Sequence, residues 1–371
     1  MQKNAATFIL LLASMFVFAQ AQQKEIKSEL QELFGPEFDA LEPGGAIIVK
    51  KGNRIVYQQN FGLANLETKE KITENTIFNT GSISKTFVSN GILILQERGA
   101  LSIENNISEY FDDFDHPEIW GQTKIKHLLS HNSGLPDLRK VSKNETFYLT
   151  AKDAGNFEPI KQAEKLNFLS GEKFEYSNPA FNGLALIIEK LTKEKWQKFI
   201  KENIFDTSNM LNSKITDGAY PQNEVAHGYE LVNNKYVESD YGEVPTFAAA
   251  GNGGVWSTVL DLTKYEKAIQ ENKFLNQASI DRSRSIYKPT NWKSSIQPKI
   301  GYGWFITTKE QSRYQMDMIS HTGSQGGFSS FYYYFPSKDL LFVGLFNRPL
   351  GTTWEKVNAT FDVFKEHNWF D

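Results

Sequence analysis

The sequence predicts an α/β (α+β) chain in which segments from both ends share one sheet and a helical middle is inserted beside it. Three observations carry this. Hairpin patterns lie near both ends, helical periodicity fills the middle, and the last segment is helical again. The 371 residues are 40% hydrophobic and 23% charged, which excludes a disordered, collagenous or coiled-coil chain and leaves ample material for a core.

The elements follow in order. Met1 and Lys3 precede an apolar run from Phe8 to Ala19, and Ala19-Gln20-Ala21 has the small-x-small pattern of a cleavage site. Residues 1–21 are therefore expected to be a signal peptide, since the run is too short to span about 30 Å of hydrocarbon. Residues 22–371 are expected to form one exported, secreted or periplasmic unit without a membrane anchor. Gly45 to Lys50, the turn Lys51-Gly52-Asn53 and Arg54 to Gln58 read as a β-hairpin. Ser84 to Arg98, Ala180 to Thr192 and Glu194 to Ile204 are helical by period, with Gly99 as a stop. Gly301 to Thr307 and Met316 to Thr322 are strand candidates. Phe328 to Phe335, the turn Pro336 to Asp339 and Leu340 to Phe346 form a second hairpin. Thr353 to Trp369 closes with Trp354, Val357, Phe361 and Phe364 at helical spacing. Strands at both ends sharing one sheet divide the unit into an α/β lobe of about 22–80 and 250–371 and a helical lobe of about 81–249.

Composition narrows the chemistry. There is no cysteine, so thiol catalysis, disulfides and Cys-ligated zinc are excluded. A net charge of −4 without a long basic run argues against nucleic acid as a partner. His127 and His131 stand at i, i+4, but no His-Glu-x-x-His pattern accompanies them, and no metal or other cofactor is expected. The Asp112-Asp113-Phe-Asp115 run reads as a solvated loop. No Gly-x-Ser-x-Gly elbow occurs, and Gly251-Asn-Gly-Gly254 lacks the lysine of a phosphate-binding loop.

Three short segments point to acyl transfer. Ser82 and Lys85 open the first helix one turn apart on one face. A partly desolvated lysine can take the proton that makes a serine hydroxyl nucleophilic, and the Ser82 amide can face a developing oxyanion. In Tyr176-Ser-Asn178, the tyrosine hydroxyl could accept the serine proton and return it to a leaving group. Asn178, extended and two residues on, would point the same way to bond both lysine and substrate amide. In His321-Thr322-Gly323-Ser324, at the end of a strand candidate, the glycine lets a substrate backbone approach and the Ser324 amide is a second oxyanion donor.

Ser82-x-x-Lys85, Tyr176-x-Asn178 and His321-Thr322-Gly323, in that order, resemble the serine β-lactamase and penicillin-binding-protein superfamily. The tyrosine makes it similar to the class C β-lactamase-like branch, which includes esterases and D-peptidases. Phe78 to Phe87, Leu128 to Leu135, Gly253 to Thr258 with Asp261-Leu262, and Gly301 to Trp304 look like blocks of the same family. The resemblance implies the β-lactamase-like fold, an antiparallel sheet flanked by helices and made from both chain ends with an all-helical lobe inserted, and an active site in the cleft between the lobes. Ser82, Lys85 and Tyr176 would be catalytic there, with Asn178, His321, Thr322 and Gly323 binding substrate. His321 departs from the usual lysine of the third motif. A ring that is mostly neutral at pH 7 replaces a fixed charge facing a substrate carboxylate, which weakens recognition of penicillins and D-Ala-D-Ala termini by roughly 1–3 kcal/mol. A serine hydrolase of small esters or D-peptide-like amides is thus expected ahead of a β-lactamase or D,D-peptidase, with a non-catalytic binder of the same fold as the last alternative.

Overall fold

The computed structural model describes residues 24–136, 153–216, 223–239 and 250–370. The expected signal peptide lies outside the described residues. A helix over residues 24–34 (α1) precedes β1 (Gly45–Lys51) and β2 (Arg54–Phe61), which are joined by a tight turn with Gly52 at φ 56°. The middle of the chain contributes α2 (Ser84–Glu97), α3 (Asp153–Lys161), α4 (Asn178–Thr192) and α5 (Val259–Gln270). The C-terminal part adds β3 (Phe305–Thr307), β4 (Met318–Gln325), β5 (Phe328–Phe335), β6 (Leu340–Phe346) and α6 (Thr353–Glu366).

The main sheet has the order β2-β1-β6-β5-β4-β3, all antiparallel. β1 joins the two chain ends by pairing with β6, Gly45 opposite Phe346 and Ile48 opposite Val343. The two-residue period of the strands divides their side chains between two cores. Ile47, Val49, Phe331, Phe335, Phe342 and Phe346 pack on one face with Ile26, Leu30 and Phe34 of α1 and Val357, Phe361 and Phe364 of α6. Ala46, Ile48, Tyr332, Tyr334, Leu341, Val343 and Leu345 face the helices of the middle segment. Both faces being covered, β6 is buried along its whole length and reads as a continuous apolar run.

Several expected boundaries move, and three of them bear on the site or the core. Only Phe305–Thr307 of the Gly301–Thr307 candidate is strand. Gly303 has φ +76°, and a Cβ on Gly301 would sit 2.1 Å from the Ser283 carbonyl oxygen, so the chain bends there to bury Trp304. The helix expected over Glu194–Ile204 is helical from Trp196 to Ile200 and continues in a wider turn over Lys201–Phe205, closed by Asp206 N–H on the Lys201 carbonyl. The strand expected to end at Thr322 runs on through Gly323 to Gln325.

Candidate active site

Ser82 stands in a tight turn, Gly81–Ile83, that leads directly into α2. The Asn79 side chain builds this turn. Its Oδ1 accepts from Gly81 N–H at 2.8 Å while its Nδ2 donates to the Gly253 carbonyl at 3.0 Å. Residues Ser84 to Leu95 of α2 are all buried, because the helix is packed between the sheet and α4. The Lys85 side chain consequently has no path to water and is fully buried. Its Nζ lies 3.0 Å from Ser82 Oγ and donates to the Asn252 carbonyl at 2.7 Å. Burial holds the amine well below its ordinary range.

The sequence-predicted tyrosine comes to the same place. Lys85 Nζ is 5.1 Å from the centre of the Tyr176 ring, whose exposure of 37% leaves it open on one side. Ser177 caps α4, accepting from Ala180 N–H at 3.2 Å, and Pro179 fixes the first turn. Asn178 is therefore the first helical residue of α4 rather than an extended one, and is half-buried.

His131 is the residue that the motif reading passed over. Its ring stacks on Tyr176 at 4.3 Å and 20°, and its Nδ1 accepts from Ser177 N–H at 2.9 Å. The backbone nearby is tied in as well, with Glu175 N–H on the His131 carbonyl and Gly171 N–H on that of Asn132. The Leu128–Leu135 block thus props the tyrosine loop from beneath. The helical-spacing signal that pairs His131 with His127 obscured this. His127 instead accepts from Lys124 N–H at 3.1 Å, and His131 has left the helix at φ +53°. Among the described residues no group of three or more His, Asp or Glu could hold a metal ion.

The third segment lies on β4. Gly323 pairs with Ser330 and Ser324 with Ser329, whereas β3 covers the opposite edge only from Met318 to Ser320. A Cβ on Gly323 would sit 2.3 Å from the Thr80 carbonyl oxygen and 3.1 Å from the Ser82 nitrogen. Gly81, at φ +52°, would place a Cβ 3.1 Å from the Ser324 nitrogen. The two glycines bring the Ser82 turn and β4 into backbone contact, so the Ser82 and Ser324 amides flank one small space. Along the strand His321 is buried while Thr322 and Ser324 are exposed. His321 Nδ1–H donates to the Thr322 carbonyl at 2.7 Å, which leaves Nε2 as a lone-pair acceptor, buried and without a partner. Burial pushes this ring down to about 3, so it is neutral throughout the physiological range. Phe305 completes the wall, 5.3 Å from the His321 ring and 6.4 Å from that of Tyr176.

The β-lactamase family model matches residues 35–363, with all three motifs inside the match. The chain belongs to the β-lactamase family. This family is one of serine hydrolases, and the chain is an enzyme of that type. Its β-lactamase-family relatives include penicillin-binding protein 4* of Bacillus subtilis, 25% identical over 355 residues, covering 89% of this chain and 74% of that protein. Protein flp of Staphylococcus aureus is 26% identical over 315 residues, and the match spans 59% of its length. Solved structures with this fold include a penicillin-binding protein from Bacillus halodurans, with TM-score 0.74, 22% identity and coverage of 90% and 98%. D-amino acid amidase from Ochrobactrum anthropi gives TM-score 0.73 at 18% identity, covering 94% of this chain and 99% of that one.

Proposed function

We propose that this protein is an exported serine hydrolase that cleaves small esters or amides, D-peptide-like ones included, through an acyl-enzyme on Ser82. The observation that carries the reading is the 3.0 Å contact between Lys85 Nζ and Ser82 Oγ in a site where burial disfavours the ammonium. A neutral amine offers a lone pair to the hydroxyl proton. As that proton leaves, Ser82 Oγ forms a bond to the substrate carbonyl carbon. The amides of Ser82 and Ser324, which the two close-packed glycines hold together, stabilise the oxyanion. Tyr176 lies next to Lys85 and relays the proton to the departing alcohol or amine as the carbonyl re-forms. Water then attacks the ester, its proton passes to Lys85 or Tyr176, and the acid leaves with Ser82 restored.

The substrate class follows from His321. The ring is buried and neutral, so the site lacks at this position the fixed charge that a substrate carboxylate would seek. Neutral esters and amides fit this better than penicillins. The likeness to penicillin-binding protein 4* supports the competing reading of a penicillin-recognising enzyme of cell-wall metabolism. Export rests on the apolar run Phe8 to Ala19 and the Ala19-Gln20-Ala21 pattern.

Intact-mass time courses of the mature protein and of Ser82→Ala test the reading. The panel holds a short-chain aryl ester, a D-Ala-D-Ala peptide and a penicillin. The expected result is a transient adduct from the ester in wild type alone, with Ser82→Ala keeping its stability and less than about 10% of the turnover. Turnover above that level overturns the nucleophile. A long-lived penicillin adduct favours the cell-wall reading.

A further inference from the structure

A buried carboxylate stands behind Lys85 and takes no part in the chemistry above. Asp153, the first residue of α3, is buried. Its Oδ1 accepts from Asn182 Nδ2 at 2.7 Å and from Gly251 N–H at 2.8 Å. Its Oδ2 accepts from the Trp196 indole N–H at 2.9 Å. Every partner is a donor, an arrangement that favours the ionised carboxylate.

Two of those contacts lead to Lys85. Asn182 Nδ2 also reaches Asn252 Oδ1 at 3.2 Å, and Gly251 is the residue before Asn252. The Asn252 carbonyl is the acceptor for Lys85 Nζ. The Ala250–Gly254 turn closes on itself through Gly253 and Gly254 N–H bonds to the Ala250 carbonyl. It has little freedom to move, since a Cβ on Gly251 would sit 2.7 Å from that of Ala185 on α4. The next residues hold the serine segment, with Gly253 accepting from Asn79 and Val255 N–H donating to Ser84 Oγ at 2.9 Å.

We infer that Asp153 is a positioning residue for Lys85, acting through Asn182 and the Ala250–Gly254 turn to fix the carbonyl that holds the amine against Ser82. The observation behind this is that Asp153 holds both sides of Asn252, its side chain through Asn182 and its backbone through Gly251, while the Asn252 carbonyl accepts from Lys85 beside Ser82. It rests on the reading that Lys85 serves Ser82. Burial pushes Asp153 up to about 7 against the pull of its three donors. Glu189 of α4 is the other charged group facing it. Around Lys85 the titratable neighbours are Tyr176, His131 and His321, burial holding the two imidazoles neutral.

The test is a pH titration of Lys85 by 13C NMR of the purified protein labelled at lysine Cε, the signal being assigned by its loss in Lys85→Arg. A hydrogen bond to the ammonium favours the charged form, so withdrawal of the Asn252 carbonyl lowers the midpoint. Asp153→Asn is expected to lower it by about half a unit or more. Asn182→Leu cuts the same path one link later, moves the midpoint in the same direction, and decides the matter if Asp153→Asn fails to unfold cooperatively. A midpoint that stays or rises in the folded variant overturns the inference. Fluorophosphonate labelling of the wild type is scored separately. Absence of a Ser82 adduct there overturns the acyl-enzyme reading and leaves the positioning of Lys85 to the titration.

Discussion

Lys85 and His321 show how burial assigns roles that residue type alone leaves open. Both are bases, both are fully buried, and both are held below their ordinary range. For the lysine this favours the free amine beside a hydroxyl. For the histidine it removes the charge that a substrate carboxylate would seek. The sequence already places a mostly neutral residue at the third motif, and burial makes it neutral even in mild acid. The preference for neutral substrates should therefore not change between pH 5.5 and 8, because the ring does not titrate there. His321→Gln should leave the ratio of ester to penicillin acylation near its wild-type value. His321→Lys should shift that ratio toward the carboxylate-bearing substrate by about tenfold, a charge-assisted bond being worth roughly 1–3 kcal/mol. Acylation rates measured by stopped flow for the three proteins check this. An unchanged penicillin rate in the lysine variant would sink the account.

At the scale of elements, the site depends on the Ser82 turn being pressed against β4. Gly81 is the residue whose replacement tests that contact, since its φ of +52° disfavours any side chain and its Cβ would stand 3.1 Å from Ser324 N and from Gly323 Cα. Gly81→Ala should lose about 1–2 kcal/mol of stability and should separate the two amides, lowering kcat more than it raises KM. Thermal unfolding together with steady-state kinetics on an aryl ester reads both effects, and a variant with normal kcat would remove the amides from the mechanism. The hairpins and α2 were legible because their signals are local. Alternation, a turn glycine and a helical period need no knowledge of the rest of the chain. The Gly301–Trp304 bend was not legible, because its cause is the Ser283 carbonyl, distant in sequence. The same holds for the site. Ser82, Lys85 and Tyr176 declare themselves by type and spacing. His131 and Asn252 do not, since one acts by stacking and one through a main-chain carbonyl, which any residue possesses.

Across the whole molecule, the site and its supports place several ionisable groups where water cannot reach, and their sum sets how stability varies with pH. Burial depresses His127 to about 4, His321 to about 3 and His131 well below its ordinary value. A base with a depressed folded value stabilises the fold above its unfolded value near 6.5 and loses that contribution as pH falls toward the folded one. Asp153 runs the other way. Its value is raised to about 7, so its contribution is greatest below the unfolded value and is lost as pH rises. Between about pH 4 and 6.5 the unfolded chain binds protons at three histidines that the folded one refuses, while the folded chain keeps one at Asp153. The histidines prevail, and stability should fall on acidification through this window, each uncompensated proton being worth about 1.4 kcal/mol per pH unit. Urea unfolding at pH 7.5, 5.5 and 4.5 measures the slope. His321→Gln should make it shallower by about one proton, because glutamine binds none in either state, and Asp153→Asn should make it steeper by the same amount. A slope that neither substitution changes would mean that these groups are reached by water in the folded protein, and the low-dielectric pocket that disfavours the Lys85 ammonium would go with it.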